Sequence, residues 1–581
     1  MCIRYYADRE LPDKISPALQ LFFIYLTTRQ SNLTRHCRLN KTNSSDIQGR
    51  QLTIHNKLHQ YSQPTLPPTR GFSPVQGCQI QSTGLLGGLL FLSSIAAYGL
   101  FKNNVLAGGG PAITGIFDSL PSWLHPASAF QHVARDYFDI LFLLLACFLF
   151  MVNWEFQRQP IFRLYNAIIA TLYIACLWLT ASGSIGPAAG NTVEWAGWRW
   201  NLPEIFCVFA SLGFIFSWLA SVNRETTLQL SPWRWALKSA LYRWFAGLTL
   251  FTVLLLLVFS HPFYLNNYYE NWRLSCGYLY LIYLYLGLPY AFVTNLLRGH
   301  RFEDRSDPNF VLLILCRRLY RRLRNKTVRQ SPKTNNRRIG VAMRDLLVKW
   351  FFVPLMLTFL YLECGNVFAN LPRLLHALHN DLSLQPTFNY FYQSFYHGLF
   401  AMDVGVALIG YVCSSRWLNN KSKSVDPTLL GWAAALICYP PFNGVSGAYL
   451  PHDSMSGLPL MGFFQLPWLE MLMKCIILVA FTIYVWATLA FGLRFSNLTN
   501  RGIITTGPYS LIRHPAYITK NIAWWLESLS RFVSPWQLLF LAAWNSIYYL
   551  RAITEERHLM MDPDYRAYCK QVKYRFIPGI W

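Results

Sequence analysis

Two short blocks near the end of the chain carry residue types that can do chemistry. The first is Thr506-Gly507-Pro508-Tyr509-Ser510-Leu511-Ile512-Arg513-His514-Pro515-Ala516-Tyr517, the second Arg551-Ala552-Ile553-Thr554-Glu555-Glu556-Arg557-His558-Leu559. Each adjoins an apolar stretch, and the residues between them suffice for a short helical hairpin. Ionisable groups crowded at one edge of apolar segments need a purpose, and holding an ionic cofactor or substrate is one. Gly507-Pro508 signals a turn. Pro515 suits the first position of a helix, where its missing N–H would have had no partner. His514 then falls at the cap, with Ala516 and Tyr517 in the first turn. Open N–H groups and the positive dipole end favour a carboxylate there. Arg551 and Glu555 are four apart and share a helical face. That guanidinium can hold a carboxylate through two parallel hydrogen bonds, and Glu555 can accept from a hydroxyl or an ammonium. Taken singly, Arg-His-Pro also fits a headgroup anchor, and an Arg/Glu pair also fits a surface salt bridge that contributes little. The two blocks together favour a site.

The combined pattern, GPY-x3-RHP-x-Y, a hairpin, EE-x2-L, then a Tyr-rich basic tail ending in Ile577-Pro578, resembles the isoprenylcysteine carboxyl methyltransferase family. The related phospholipid methyltransferases share much of it. The resemblance covers about 491–581, thins over 386–490 and is absent before that. It implies an integral-membrane enzyme that uses S-adenosyl-L-methionine as cofactor for methylation of a lipophilic substrate. By resemblance, the cofactor-binding positions are Arg501, Gly502, Ile503, Ile504, Tyr509, His514, Pro515, Ala516, Tyr517 and Glu555. Arg551 is the catalytic residue facing the substrate, and no metal is implied. A carboxylate is the expected methyl acceptor, with phospholipid N-methylation as the alternative. The sequence departs from the family in having Asp562-Pro563-Asp564 before Tyr565 where Phe-Gly is usual, and Arg501 where eukaryotic enzymes tend to have His. The tail Tyr565–Trp581 also resembles the end of NADPH-dependent sterol reductases, but those tend to have Asn where Pro515-Ala516 stands and Arg-Asp-Glu where Glu555-Glu556 stands. A transporter or scaffold without catalysis is the remaining reading. The chemistry fits the residues: methyl transfer from a sulfonium is an in-line displacement in which positioning and desolvation carry the rate, and Tyr509, Tyr517, Trp524 and Trp525 offer faces that attract a sulfonium. Trp524 and Trp525 equally suit the interfacial belt.

Something must position these groups, and composition says what. The chain has 581 residues, 53% hydrophobic and only 13% charged, about half the charge of an ordinary soluble domain at roughly 25%. Apolar runs near the roughly 20 residues that span a bilayer recur along it. The expected fold is all-α: a polytopic, multi-pass membrane protein with about ten transmembrane helices and a C-terminal membrane hairpin. The segments are expected at 83–101, 136–153, 162–182, 202–222, 244–262, 276–297, 350–371, 387–412, 429–449 and 467–493, with hairpin arms at 516–530 and 534–551. Three regions follow: a polar, basic, disordered extension over 1–82, a multi-pass domain over 83–371 with a basic loop at 301–349, and a methyltransferase-like domain over 386–581 with its core at 491–581. The short apolar run 19–26 cannot span, and 1–82 lacks the pattern of a signal peptide.

The net charge of +24 does not argue for nucleic acid, because the cations fall in alternate loops. Arg158 and Arg163, then Arg224 to Arg243, then the Arg-rich 301–349, then Arg416, Lys421 and Lys423 follow every second segment, whereas 450–466 carries none. That alternation places those loops and both termini in the cytoplasm, and the hairpin is needed to keep the basic tail there. The membrane is the inner one in a bacterium and the endoplasmic reticulum in a eukaryote. Partners are membrane lipids and a lipophilic substrate. Val311, Leu312, Leu315, Leu319 and Leu323 interleave with Arg in the basic loop, which suits a lipid-surface helix or, more simply, a solvated topology signal. The 13 cysteines are scattered, without a disulfide or zinc pattern. Asp139 and Glu204 are expected to face headgroups. Glu363 and Asp403 lie deeper, as hydrogen-bonded interior carboxyls or as an ion path. Glu470 and Lys474 are spaced for a structural pair. Ala107-Gly108-Gly109-Gly110-Pro111 reads as a flexible loop, since no dinucleotide fingerprint surrounds it.

Overall fold

A computed structural model describes residues 74–107, 131–157, 159–184, 192–195, 198–221, 231–265, 270–298, 323, 333–380, 382–414, 418, 420–444, 466–530 and 535–580. The extension before 74, the glycine loop at 108–111 and all but one residue of 301–332 lie outside the described residues.

The architecture is all-α. In chain order the helices are α1 (Pro74–Ala107), α2 (Gln131–Phe156), α3 (Pro160–Ala181), α4 (Leu202–Ser221), α5 (Trp233–Ser260), α6 (Glu270–Arg298), α7 (Lys333–His379), α8 (Leu384–Val412), α9 (Leu429–Leu436), α10 (Pro467–Leu489), α11 (Pro515–Ser530), α12 (Pro535–Leu559) and α13 (Pro563–Gln571). Two small antiparallel ladders accompany them: β1 (Thr192–Trp195) with β2 (Trp198–Asn201), and β3 (Ser424–Val425) with β4 (Thr499–Asn500). Among the described residues nine helices, α1 to α8 and α10, are long and apolar enough to cross a membrane. The protein is therefore a polytopic integral-membrane chain.

Successive helices run up and down, so alternate connections gather at one end. The start of α1 meets the turn after α10 through Ile80. The end of α2 reaches the same turn through the Glu155–Arg494 ion pair at 2.5 Å. The start of α7 and the end of α8 arrive there through Asp345 and Gly410, both partners of Arg501. Asn104 on Ala181 and Lys474 on Asn389 mark the opposite end. Arg163, Arg234, Lys238, Arg344 and Lys349 thus sit on stretches that open helices at the first end. One core of interlocking apolar side chains ties α1, α2, α7, α8 and α10 together. At its centre Phe352 stacks on Tyr411 with ring centres 5.2 Å apart.

Three expectations need correction. The ninth segment, expected as a span over 429–449, is in its described part the eight-residue helix α9, turns to 441 and a fresh helical start at 442–444. Thr428 caps its start, accepting from the Gly431 N–H at 3.2 Å, and Pro440-Pro441, without N–H groups, cannot extend it. α9 lies at the first end, and α10 starts at the other. The first helix starts at Pro74 and not at 83. Asp139 and Glu204 do not face headgroups: both are buried. Asp139 accepts from the Tyr98 hydroxyl, and Glu204 accepts the Asn201 N–H at 2.8 Å, closing the first turn of α4. Glu363 is a hydrogen-bonded interior carboxyl, 2.6 Å from His397 Nδ1, and Glu470 pairs with Lys474 at 2.5 Å.

Candidate active site

The expected hairpin is present as α11 and α12, and α11 opens at Pro515. What the sequence did not reveal is how the tail closes over its mouth. After α13 the chain runs back against Arg513-His514, whose N–H groups donate to the carbonyls of Tyr574 and Arg575, each at 3.0 Å. Of the N–H groups at this cap, that of His514 is therefore occupied by the tail. The Arg513 side chain fastens the same tail, donating to the Val572, Cys569 and Lys573 carbonyls at 2.8, 3.2 and 3.1 Å. Glu556 gathers three cationic or polarisable groups: Arg575 Nε at 2.9 Å, Arg513 Nη1 at 3.3 Å and His514 Nε2 at 3.3 Å. Burial pushes the Glu556 carboxyl up, but the His514 hydrogen bond and the charges of His514, Arg575 and Arg513 outweigh it and hold it below the ordinary carboxylate range. Tyr568, its hydroxyl pushed up by burial, donates to the Tyr509 carbonyl at 2.7 Å.

Beneath the tail lies a cleft with two lobes. The first is walled by the 491–504 segment, Tyr509, the last turns of α12 and Tyr565 and Tyr568 of α13. Arg501, Gly502, Ile503 and Ile504 all line it. Gly502 sits at φ 126°, a conformation that favours glycine, and its N–H donates to Asn500 Oδ1 at 2.9 Å. Arg501 contributes backbone only. Its guanidinium is buried the other way, donating to the Gly410 carbonyl and to Ser422 Oγ at 3.3 Å with Asp345 at 3.9 Å. Arg501 thus pins the lobe to α7 and α8. Thr499 Oγ1, on the lobe wall, is buried without a hydrogen-bond partner among the described residues. The second lobe is walled by Tyr439, Tyr484, Thr488, Ala516, Lys520 and Tyr548.

Tyr517, Arg551 and Glu555 stand where the lobes meet, lining both. The Tyr517 hydroxyl donates to Glu555 Oε2 at 2.7 Å, and Glu555 Oε1 has no hydrogen-bond partner among the described residues. Arg551 is buried among three rings, Tyr517, Tyr439 and Tyr548, at 5.2, 5.4 and 6.0 Å from their centres. It donates to Asn497 Oδ1 at 2.9 Å, and no carboxylate pairs with it among the described residues. His514 lines both lobes with its ring stacked on Tyr517 at 5.4 Å. Of the residues singled out from the sequence, Pro515, which starts the helix, and Trp524 and Trp525 are not among those lining the walls.

Sequence reasoning missed Glu556, Asn497, Thr499, Tyr439, Tyr548 and Lys520. Glu556 adjoins Glu555, about 100° round the helix, so the paired acids divide between tail and cleft. Lys520 had a signal, a lone cation inside an apolar arm. Tyr439 and Asn497 had none, because only the fold brings them to Arg551. A separate apolar groove, lined by Leu89, Val367, Leu371, Phe391, Phe395 and Trp486, lies on the face of α10 turned away from Tyr484 and carries no charged side chain.

Comparison with known proteins agrees with this location. Neither the curated proteins nor the solved structures give a match. Residues 469–562, from the third residue of α10 through the hairpin to the tail, match the family model of phospholipid methyltransferase, so this part of the chain is similar to the membrane methyltransferases that its motifs resemble.

Proposed function

We propose that the protein is an S-adenosyl-L-methionine-dependent methyltransferase that esterifies the carboxylate of a lipophilic substrate at the cytoplasmic membrane face. The observation that carries this is the junction: a buried arginine without a carboxylate partner stands between two lobes, beside a glutamate with one free oxygen.

The residues of the first lobe fit the cofactor. Glu555 Oε1 can accept from a ribose hydroxyl or an ammonium, the orphaned Thr499 hydroxyl can bond to a polar edge, and the backbone of 501–504 gives a close-fitting wall. The cofactor would supply an electrophilic methyl group on a sulfonium. Arg551 would turn a substrate carboxylate toward the junction, its approach direction fixed by Asn497 and the three tyrosine rings. Those rings also keep water from the junction, which strengthens the charged contacts. No proton has to move, since a carboxylate is already the nucleophile. The substrate's apolar part would remain in the bilayer. We orient the site end toward the cytoplasm on the strength of its basic connections.

The test is the product. Membranes holding the protein are incubated with methyl-labelled S-adenosylmethionine and the extracted lipid and protein are treated with alkali. Volatile labelled methanol supports the ester. The family match favours one second reading, N-methylation of a phospholipid, which would give base-stable label.

A further inference from the structure

The second lobe holds a cation that this mechanism leaves unused. Lys520, in the second turn of α11, lies beyond the motif that ends at Tyr517. Its Nζ stands 5.1 Å from the ring centre of Tyr484 and 5.0 Å from that of Trp524, and it lines the lobe together with Arg551. Among the described residues its ammonium makes no hydrogen bond and no ion pair. Two aromatic faces favour its charged form, against the burial that opposes it. The facing acid is Asp403 of α8, buried, whose carboxylate accepts from Tyr484 OH at 3.1 Å and from the Thr488 hydroxyl. Asp403 therefore answers Lys520 only through space. Glu555 belongs to the junction, where the cofactor's positive groups would answer it. Arg513, which also lines the lobe, is answered by Glu556, so with Glu555 counted to the cofactor the cations left are Arg551 and Lys520, with Asp403 behind Tyr484 and Thr488 as the facing acid.

We propose that Lys520 is a specificity-determining residue: with Arg551 it makes the second lobe select lipids whose head carries one negative charge over neutral or cationic heads on the same chain. The proposal rests on the methyltransferase reading, which assigns this lobe to the substrate. A third charge of the right sign completes the balance in a site shielded from water, where an unanswered charge is costly.

The test uses the full-length protein in detergent and three probes sharing one hydrocarbon chain: oleate, oleyl alcohol and oleylamine. Their affinities are measured by competition against a fluorescent fatty acid. The wild type prefers oleate. Lys520→Met lowers the oleate-to-alcohol preference about tenfold, the scale of losing a charge-assisted hydrogen bond, and Lys520→Arg keeps it. Asp403→Asn, which removes the repelling charge, raises it. Should Lys520→Met not fold, the double variant Asp403→Asn/Lys520→Met leaves no lone charge and is expected to fall below Asp403→Asn alone. An unchanged preference in Lys520→Met, or shifts of the same sign in Lys520→Met and Asp403→Asn, overturns the proposal. S-adenosylmethionine binding is read on the same samples. No binding to the wild type, with a preference that still depends on Lys520, sinks the methyltransferase reading alone; binding with no such dependence sinks the Lys520 assignment alone.

Discussion

Two charged regions lie a few residues apart in this site and behave in opposite ways. Around Glu556 every cation is answered: Arg513, His514 and Arg575 converge on one carboxylate, and the remaining donors of Arg513 take carbonyls of the tail. Around Arg551 the cations are not answered by acids. Arg551 has a neutral amide and three rings, and Lys520 has two rings. The first arrangement is what a chain needs to hold its own tail. The second leaves interaction energy for something else to collect. Residue type does not separate the two, since each is built on Arg and Glu from the same motifs; only the partner count does.

Substitution at Glu556 should have the largest effect. Glu556→Ala leaves two guanidinium groups and the His514 ring without their acid, and breaking such a buried set costs about 3 kcal/mol or more. A large fall in the melting temperature of the detergent-solubilised protein, with loss of tail protection from protease, is the expected result; an unchanged melt would erase the contrast drawn above. Arg551→Lys should do the reverse. The ammonium cannot make two parallel bonds, so turnover should drop roughly tenfold or more while the melt and S-adenosylmethionine affinity stay near wild type. A parallel loss of cofactor binding would move Arg551 into the first lobe. Glu555→Ala should weaken S-adenosylmethionine binding about tenfold, from the loss of a charged hydrogen bond, without the collapse expected of its neighbour; calorimetric titration reads this directly.

The smallest effect is in the pH profile of stability. Glu556 is held below its ordinary range, so its contribution is complete above about pH 4.3 and is lost as pH falls through the lower folded value. His558 is lowered chiefly by burial, with its Nε2 2.9 Å from Ser424 Oγ. The unfolded chain therefore takes that proton first, and stability declines as pH drops below about 6.5. Glu556→Gln should remove the lower step and His558→Gln the upper one. Both steps surviving in both variants would locate the titrating groups elsewhere.

The helical, membrane-spanning character was legible because bilayer-length apolar runs admit few alternatives. The hairpin was legible because Pro515 and the spacing of Arg551 and Glu555 are local signals. The ninth segment was not, because hydropathy over 429–449 does not register that Asp426, Thr428 and Pro440-Pro441 confine the helix to two turns. The site was half legible. Motif residues such as Tyr517, Glu555 and His514 line both lobes, but the Arg501 guanidinium turns to Gly410 and Ser422, and Tyr439 arrives from 112 residues before Arg551. Such long-range pairings leave no mark in a single sequence.

The close approach of α1 to the turn after α10 has a consequence for how the molecule can be built. A Cβ on Gly84 would fall on the Leu489 carbonyl oxygen, so the two backbones touch there. The wall of the candidate cleft is thus propped by the first described helix, made hundreds of residues earlier. During synthesis that helix must wait, already inserted, until α10 emerges. A bulky residue at position 84 would leave the early helices intact and spoil the late ones, a defect visible only once the chain is complete.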